Sequence, residues 1–507
     1  MHPNKAKIAN MLKPIDRRIV LAGLASGTVW MAGPAGSEEW SKRLLPISQL
    51  RGAQVPSSVT QIECLGDGPN PLSLIFECDP RIDAAFLAVH PSATFTVSDG
   101  RNFRLSPETV FVEAFGAVGD GRANDQMAIQ RAIKYAETFG AGTVRFKQRA
   151  YAVWCPNRTS DPGNNNAYDG HSIVIERQIA FVGHEDKTRI LFRSQDGREL
   201  HSNWQTVNGK VWRGAGILSK GWRSPPSDRS KLPSATLTDM ELDGGCDRTE
   251  VYSYPADVST GEGWDLTHKG LWAENDRATG DWTLVRSKVV RFRGEVFYQG
   301  GDHHGALTGR DVVMGQTNAD ILNPCGTNLD IERGYFFDGN QGWEGWTGAH
   351  GRLIACTFEN CRSMGGLQGG RARPSKIPGN SRNEPTQFSA GEVPWLDLDI
   401  KVIDCGPVYI GSWVRGRIDI TDSFLALSTK VYPRISDVIL SISARCRKKN
   451  MPCVVSVTAG ESVPNLIKDI TIKIQLDESG SQVRFARLVS RRGNLDDTSN
   501  ISVTVEP

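Results

Sequence analysis

Short apolar segments ending in Gly or Asn recur at nearly constant spacing in the middle of the chain. They begin at Leu271, Val296, Ile321, Gly345 and Gly366, with offsets of 25, 25, 24 and 21 residues. Repeats of this kind stack, because each unit buries its apolar face only against its neighbours. The offsets match one coil of a parallel β-helix. The repeat therefore predicts one long solenoid, where 507 residues alone would suggest about three globular domains.

Other segments alternate apolar and polar residues with the period of a strand. These further predicted strands lie within 171–183, 237–245, 408–412, 438–445, 470–476 and 501–507. Three stretches interrupt the pattern, at 155–170, 200–233 and 371–393. The first two are rich in Asn, Gly, Pro and Ser, and the third has almost no aliphatic residues. We expect projecting loops there, where binding specificity is commonly found.

Upstream of the repeats, residues 115–153 combine a turn, a helix and strands. The turn contains Asp120 between two glycines, which supply positive φ angles. Asp125 stands where a helix N-cap belongs. Apolar residues at helical spacing then predict one buried helix face, formed by Ala128, Ile129, Ala132, Ile133, Ala136 and Phe139.

This passage resembles the opening of the β-helix domain in the pectate-lyase superfamily (rhamnogalacturonase/epimerase-like). Ala128-Ile129-Gln130 matches that family's helix, whereas Asn124 replaces its first acidic residue and Gln126 its usual Thr. The resemblance implies an all-β fold, a right-handed parallel β-helix, with this short helix over the N-terminal end of the solenoid. Asp120 and Asp125 are then expected to be turn and cap residues. The family includes lyases, hydrolases, epimerases and phage tailspikes, so the fold leaves the function open.

The first 36 residues have the layout of a signal peptide. A basic head precedes the uncharged stretch 19–36, which is short and Gly-diluted for a membrane span. The pair Arg17-Arg18 resembles a twin-arginine signal, although Asp16 stands where Ser or Thr is preferred. We therefore expect a periplasmic or extracellular protein, the alternative being an uncleaved N-terminal helix. The expected plan is a signal peptide at 1–36, a small β-rich module at 37–110 and the β-helix at 111–507.

The amino-acid composition limits the classes of molecule that this protein is expected to bind. The 59 basic and 57 acidic residues nearly cancel, which argues against a polybasic nucleic-acid binder, and no other segment is apolar enough to span a membrane. Ten cysteines without a C-x-x-C pair argue against a disulfide scaffold, although Cys64 and Cys78 could pair after export. The 13 Trp residues and 52 Gly residues fit an all-β protein that handles sugars. We expect a polysaccharide or oligosaccharide partner, and the sequence leaves the oligomeric state open.

Strand alternation suggests a sugar-binding face. If Leu271, Val296 and Ile321 point inward, their neighbours point outward on stacked coils. Aromatic faces bind sugar C–H surfaces, and adjacent polar groups fix hydroxyls. The expected substrate-binding residues are Trp272, Phe297, Gln299, Trp346 and His304, and the expected catalytic residues are Asp302, His303, Glu344 and Glu274. Ordinary surface residues would give the same alternation.

Two mechanisms remain open. Hydrolysis needs two carboxyl groups, which Glu274, Asp302 and Glu344 could supply. β-Elimination of a uronic acid needs a base and a group that neutralises the sugar carboxylate. A histidine beside Asp302 could act as acid or base near neutral pH. No residues are assigned to a metal, and calcium is a possible cofactor only for a lyase.

The motifs of polygalacturonases with this fold are only partly present. Asn318-Ala319-Asp320 resembles their Asn-Thr-Asp segment, but no Asp-Asp pair follows and His304-Gly305 precedes it. A standard polygalacturonase is therefore disfavoured. The sequence predicts an exported carbohydrate-active enzyme, a glycoside hydrolase or polysaccharide lyase. The alternative is a non-catalytic or tailspike-like saccharide-binding protein.

Overall fold

A computed structural model gives the fold of most of the chain. It describes residues 44–66, 72–139, 142–154, 172–184, 188–193, 197, 214–222, 226–245, 269–273, 278–292, 294–299, 305–317, 319–324, 328–343, 349–369, 395–428, 435–445, 455–459, 467–476, 486–490 and 501–506. Among these residues, no helix is long and apolar enough to cross a membrane.

The first sheet in the described part of the chain is small and antiparallel, and we call it sheet I. Its strands are β1 (Gln61–Leu65), β2 (Ser73–Cys78), β3 (Thr94–Thr96) and β4 (Asn102–Leu105), in the order β1-β2-β4-β3. The short helices α1 (Ile47–Leu50) and α2 (Ala84–Val89) accompany them. Buried residues of this sheet and of the solenoid belong to one hydrophobic cluster.

The register of sheet I does not allow the Cys64–Cys78 disulfide that the sequence left possible. Cys64 pairs with Leu74, four residues before Cys78, which is about 14 Å along a strand. A disulfide requires Cα atoms less than about 7 Å apart. The two thiols are therefore too far apart to bond, and this possible disulfide does not form.

The rest of the described chain winds into parallel coils, as the repeat predicts. In chain order the strands are β5 (Asp120–Asn124), β6 (Gly142–Arg145), β7 (Ala150–Trp154), β8 (Ile173–Ile175), β9 (Ile179–Val182), β10 (Thr188–Arg193), β11 (Ala215–Ser219), β12 (Ala235–Thr238), β13 (Met240–Asp243), β14 (Lys269–Ala273), β15 (Trp282–Val285), β16 (Lys288–Val290), β17 (Phe297–Gln299), β18 (Leu307–Arg310), β19 (Val313–Gly315), β20 (Asp320–Pro324), β21 (Asn328–Glu332), β22 (Tyr335–Phe337), β23 (Gln341–Trp343), β24 (His350–Glu359), β25 (Ser363–Leu367), β26 (Leu396–Ile403), β27 (Val408–Ile410), β28 (Val414–Thr421), β29 (Leu425–Ser428), β30 (Ile435–Arg445), β31 (Val455–Ala459), β32 (Ile467–Leu476), β33 (Ala486–Ser490) and β34 (Ile501–Glu506). Among the described residues, 3₁₀ helices lie at Pro107–Thr109, Val112–Phe115 and Arg229–Lys231.

These strands form two parallel sheets that run along the solenoid. Sheet III consists of β8, β11, β14, β17, β20, β23, β25, β27, β29, β31 and β33, and sheet II contains the other solenoid strands. Each coil from β12 to β23 gives two short strands to sheet II and one to sheet III, and from β24 onward the two sheet II strands merge into one longer strand. The predicted fold class, an all-β right-handed parallel β-helix, is confirmed.

Helix α3 (Gln126–Thr138) covers the first strand of sheet III, as expected. An edge strand exposes unpaired N–H and C=O groups that need partners. The amide of Gln130 supplies both partners, since its Nε2 donates to the Val174 carbonyl at 2.8 Å and its Oε1 accepts from the Val174 N–H at 3.0 Å. Gln130 therefore continues the hydrogen-bond ladder of sheet III into the helix.

The two aspartates of the family-like motif have structural roles. Asp120 accepts hydrogen bonds from the N–H groups of Arg122 and Ala123, as expected of a turn residue. Asp125 immediately precedes the helix, but its carboxylate binds the N–H groups of Val118 and Gly119 and makes no cap with the helix. Burial raises the pKa of Asp125 despite these bonds.

The predicted loops are tested in part. Strand β11 lies inside the stretch 200–233, so the loop prediction is wrong at that point. All five residues of this strand are buried. The composition of the whole stretch does not indicate a strand, because the strand is short and polar residues flank it. The predicted loops 155–170 and 371–393 lie outside the described residues.

A bend with left-handed backbone separates the two sheet II strands of successive coils. The residues at this bend are Asp239, Arg286, Asp311 and Arg333, with φ between 47° and 56°. The acidic and basic residues alternate and form ion pairs, with Arg286 bound to Asp239 at 2.7 Å and Arg333 to Asp311 at 2.6 Å. The Arg333 hydrogen bonds hold the pKa of Asp311 below its ordinary value. Each bend is thus tied to a neighbouring bend by opposite charge.

Gly365 is predicted to be essential for close coil stacking. A Cβ atom there would lie 1.7 Å from the Trp343 carbonyl oxygen of the preceding coil, and φ is already +82°. We expect Gly365→Ala to lower the free energy of unfolding by about 3 kcal/mol or more, measured by urea denaturation. The matched control is Gly100→Ala, which has φ +86° but open space around the Cβ position. It should cost only about 1 kcal/mol, and equal losses would show that backbone strain alone matters.

Asp243 should make stability depend on pH. Burial alone would raise the pKa of Asp243, but hydrogen bonds from Arg291 at 2.6 and 2.8 Å hold it below its ordinary value. A lowered folded-state pKa stabilises the fold above the unfolded pKa of about 4, and this stabilisation is lost as the pH falls further. Between about pH 6 and about pH 3, Tm should therefore fall more for the wild type than for Asp243→Asn. Identical pH profiles of Tm would contradict this role.

Candidate functional site

The outer side of sheet III carries an aromatic pair. In the parallel register Leu271 pairs with Phe297 and Trp272 pairs with Tyr298. Leu271 and Phe297 are buried in the core, whereas Trp272 and Tyr298 are partly exposed. The two outer rings meet edge to face with centroids 5.9 Å apart. This pair forms a partly open apolar platform across two coils.

The same register corrects two predicted binding residues. The coil from Leu271 to its partner Phe297 is 26 residues long, one more than the predicted repeat. A one-residue slip exchanges the two faces of a strand. Phe297 is therefore a core residue, and Gln299 is fully buried with its Nε2 bonded to the Gly305 carbonyl at 3.1 Å. The outward predictions for Phe297 and Gln299 are wrong.

Six of the other predicted site residues lie outside the described residues and remain predictions, namely Glu274, Asp302, His303, His304, Glu344 and Trp346. Trp272 is the predicted site residue that the structure places on the outer side of sheet III.

A buried ion pair lies beside the aromatic platform. Lys269 and Glu295 occupy the same position in successive coils, two residues before Leu271 and Phe297. The Lys269 ammonium contacts a Glu295 carboxylate oxygen, and both side chains are 0% exposed. The coils are also joined by their backbones, because the Gly270 N–H donates to the Glu295 carbonyl at 2.9 Å.

The Lys269 ammonium also faces the aromatic rings. Its Nζ lies 3.8 Å from the ring centroid of Tyr298 and 5.3 Å from that of Trp272. A cation over an aromatic face is stabilised by the ring quadrupole, most strongly when desolvated. The ion pair and the platform are therefore one cluster.

Asp320 continues this charged column into the next coil. The register of β17 with β20 places it beside Glu295, and the Val296 N–H donates to the Asp320 carbonyl at 3.1 Å. The Asp320 residue is 1% exposed. Adjacent strands lie about 4.8 Å apart, so two carboxyl-bearing side chains occupy neighbouring places in a covered site. We call Lys269, Glu295 and Asp320 the charged column.

The solenoid itself does not require charge at this position. The preceding coil has Ala215 in register with Lys269, and the coil after Asp320 has Gln341. Burying ionisable groups is costly even when they are paired. A buried cluster of charged side chains is therefore a candidate functional site.

Sequence reasoning missed Lys269 and Glu295, and it treated Asp320 only as part of a motif. A usable signal was present, because a charged residue precedes the apolar rung in three consecutive repeats at spacings of 26 and 25 residues. Among the described residues, no group of three or more His, Cys, Asp or Glu side chains is arranged to hold a metal ion.

Comparison with known proteins supports the fold but does not assign the chain to a family. No family model matches the chain, and no curated protein matches it. The tailspike protein of E. coli bacteriophage HK620, solved with a pentasaccharide, is 10% identical over 80% of this chain and 67% of its own, with a TM-score of 0.50. That likeness shows a shared parallel β-helix fold.

Other solved structures align less well. The A-module of mannuronan C-5 epimerase AlgE6 from Azotobacter vinelandii is 16% identical over 78% of this chain and 99% of its own, with a TM-score of 0.39. WceF of Pantoea stewartii, a glycan biofilm modifying enzyme, is 13% identical over 92% of this chain and 50% of its own, with a TM-score of 0.30.

Removing only one member of the buried pair should destabilise the solenoid. We expect Lys269→Met to lower the free energy of unfolding by about 3–5 kcal/mol, because Glu295 would stay buried without its cation. The double variant Lys269→Met/Glu295→Met should recover most of the loss. Lys288→Met is the control, since its pair with Glu241 is partly exposed and worth at most about 1 kcal/mol. Equal losses for Lys269→Met and Lys288→Met, measured by urea denaturation, would contradict the buried pair.

Proposed function

We propose that this protein is an exported carbohydrate-active enzyme that cleaves or rearranges a polysaccharide on the outer side of sheet III. The observation that carries the proposal is the charged column, buried directly beside the partly exposed Trp272 and Tyr298. The signal-like segment at residues 1–36 supports export.

The aromatic platform suits a saccharide ligand. Sugar rings present C–H surfaces that pack on aromatic faces, and neighbouring polar groups select the hydroxyl pattern. Trp272 and Tyr298 span two coils, so an extended glycan could run along the solenoid axis. The HK620 tailspike was solved with a pentasaccharide, the ligand class that we propose here.

The charged column suits hydrolysis better than β-elimination. Glycosidases use two carboxyl groups, and the register of β17 with β20 places Glu295 and Asp320 at the same position in adjacent coils. Elimination would need a cation for the sugar carboxylate, but the Lys269 ammonium is already bound to Glu295. We therefore assign Glu295 and Asp320 as the carboxyl pair and Lys269 as the group that holds Glu295 in place.

Burial of the column sets a condition on this mechanism. Glu295 is 0% and Asp320 is 1% exposed. A substrate can therefore reach their carboxyl groups only if some of the residues that bury them move aside. Movement of residues that cover a site is common where a reaction excludes water. The same burial supports a second candidate, a saccharide-binding protein that uses only the platform and keeps the column as structure.

Substitution of Asp320 separates the two functions. In the enzyme, Asp320→Asn should reduce turnover by about 100-fold or more while Tm stays nearly unchanged. The control is Asp419→Asn, which changes an exposed pair with Arg417 on sheet II and should retain activity. Trp272→Ala should raise KM or weaken binding in either function.

The assay uses uronic-acid and neutral glycans. New reducing ends without an unsaturated uronate indicate a hydrolase, and ultraviolet absorbance from an unsaturated uronate indicates a lyase. Full activity of Asp320→Asn would refute the assigned pair, and Glu344→Gln and Asp302→Asn would then test the remaining candidates. Binding that Trp272→Ala abolishes, without any product, would establish the saccharide-binding alternative.

A further inference from the structure

Two cysteines occupy the same position in successive coils. Cys361 lies in the turn before β25, and Cys405 lies in the turn before β27. Parallel hydrogen bonds flank them on both sides, from the Asn360 N–H to the Ile403 carbonyl at 3.0 Å and from the Gly406 N–H to the Cys361 carbonyl at 2.9 Å. This pattern places Cys361 directly beside Cys405. Paired residues of neighbouring strands lie about 4.8 Å apart, within the Cα separation of about 4.4–6.8 Å that disulfides span.

Both thiols are inside the solenoid and in contact. Cys361 is 2% and Cys405 is 6% exposed. The Cys405 Sγ lies 3.3 Å from the Ile403 carbonyl oxygen, and the Cys361 Sγ lies 3.6 Å from the Glu359 carbonyl oxygen. A hydrogen bond between the two sulfur groups raises the pKa of Cys361 and lowers the pKa of Cys405. The pair therefore has a polarised thiol facing a second thiol.

We propose that Cys361 and Cys405 form a disulfide that joins successive coils when the chain folds in an oxidising compartment. The two thiols lose two protons and two electrons as the S–S bond forms. A protein or small-molecule disulfide accepts them and is released as two thiols. Oxidation takes place before the coils close, because the folded solenoid shields both sulfur atoms from an external oxidant.

The position of this cross-link indicates how it would stabilise the solenoid. Cys361 and Cys405 bracket the stretch 371–393, which the sequence predicts as a long projecting loop. Closing a long loop between adjacent coils restricts the chain, and a covalent tie removes more unfolded-state entropy as the enclosed segment lengthens. The disulfide would therefore fix the stacking of the two coils at the base of that loop.

The neighbouring residues provide two internal comparisons. Cys356 is also fully buried, but its partner in the next coil is Ile400, so no second thiol is placed beside it. In the coil after Cys405, the same position is held by Ser423, which is buried and donates to the Thr421 carbonyl. A serine hydroxyl is thus already accommodated in this column.

The direct test is a peptide map of the full chain. Protein refolded with oxidised glutathione is denatured in iodoacetamide and digested without reduction. We expect a cross-linked peptide that joins Cys361 to Cys405, and its disappearance after treatment with dithiothreitol. Recovery of both cysteines as alkylated thiols in the unreduced sample would overturn the proposal.

Thermal unfolding tests whether the disulfide stabilises the fold. Dithiothreitol should lower the Tm of the oxidised wild type by about 5 °C, in line with the loss of a long-loop cross-link. Cys405→Ser should abolish that shift, and Cys356→Ser should retain it. A reductant shift that survives in Cys405→Ser would contradict the assignment. If Cys405→Ser does not fold, Cys361→Ser and the wild-type peptide map decide the question. Neither readout depends on carbohydrate activity, so the proposed function can fail independently.

Discussion

In-register parallel pairing is the constraint on which the rest of this structure depends. Because each strand lies directly on the equivalent strand of the next coil, a side chain meets the side chains at the same coil position above and below it. Leu271, Phe297 and Leu322 form one such column in the core of sheet III. The identity of one residue therefore restricts its counterparts in both neighbouring coils, although they are some 25 residues away in sequence.

The stabilising energy of a charged pair in such a column depends on how deeply the pair is buried. The Asp239 and Arg286 pair lies at the surface, where such a contact is worth at most about 1 kcal/mol. Lys269 and Glu295 make the same kind of contact with no solvent access, where loss of one partner is far more damaging. The buried column also adjoins the aromatic platform of Trp272 and Tyr298, and that combination makes it a candidate site.

The sequence could predict much of the fold because the repeat and the helix both have strong periodic signals. The family-like motif contains Gln130, and the structure adds its physical role as the hydrogen-bond partner of β8. The orientation of single residues was harder to predict, since one extra residue between Leu271 and Phe297 exchanges inner and outer positions. Glu295 was missed because a charge before an apolar rung looks like a loop residue until the coils are stacked.

The alternating bend of sheet II limits how a solenoid of this kind can change its length. Along Asp239, Arg286, Asp311 and Arg333, each residue has a neighbour of opposite sign. Loss of the single coil that contains Arg286 would bring Asp239 next to Asp311, two like charges on adjoining turns with the same strained backbone. Loss of two consecutive coils would preserve the alternation. Within this stretch, duplication or deletion of a pair of coils therefore keeps opposite charges on adjoining bends, whereas a change by a single coil places like charges together.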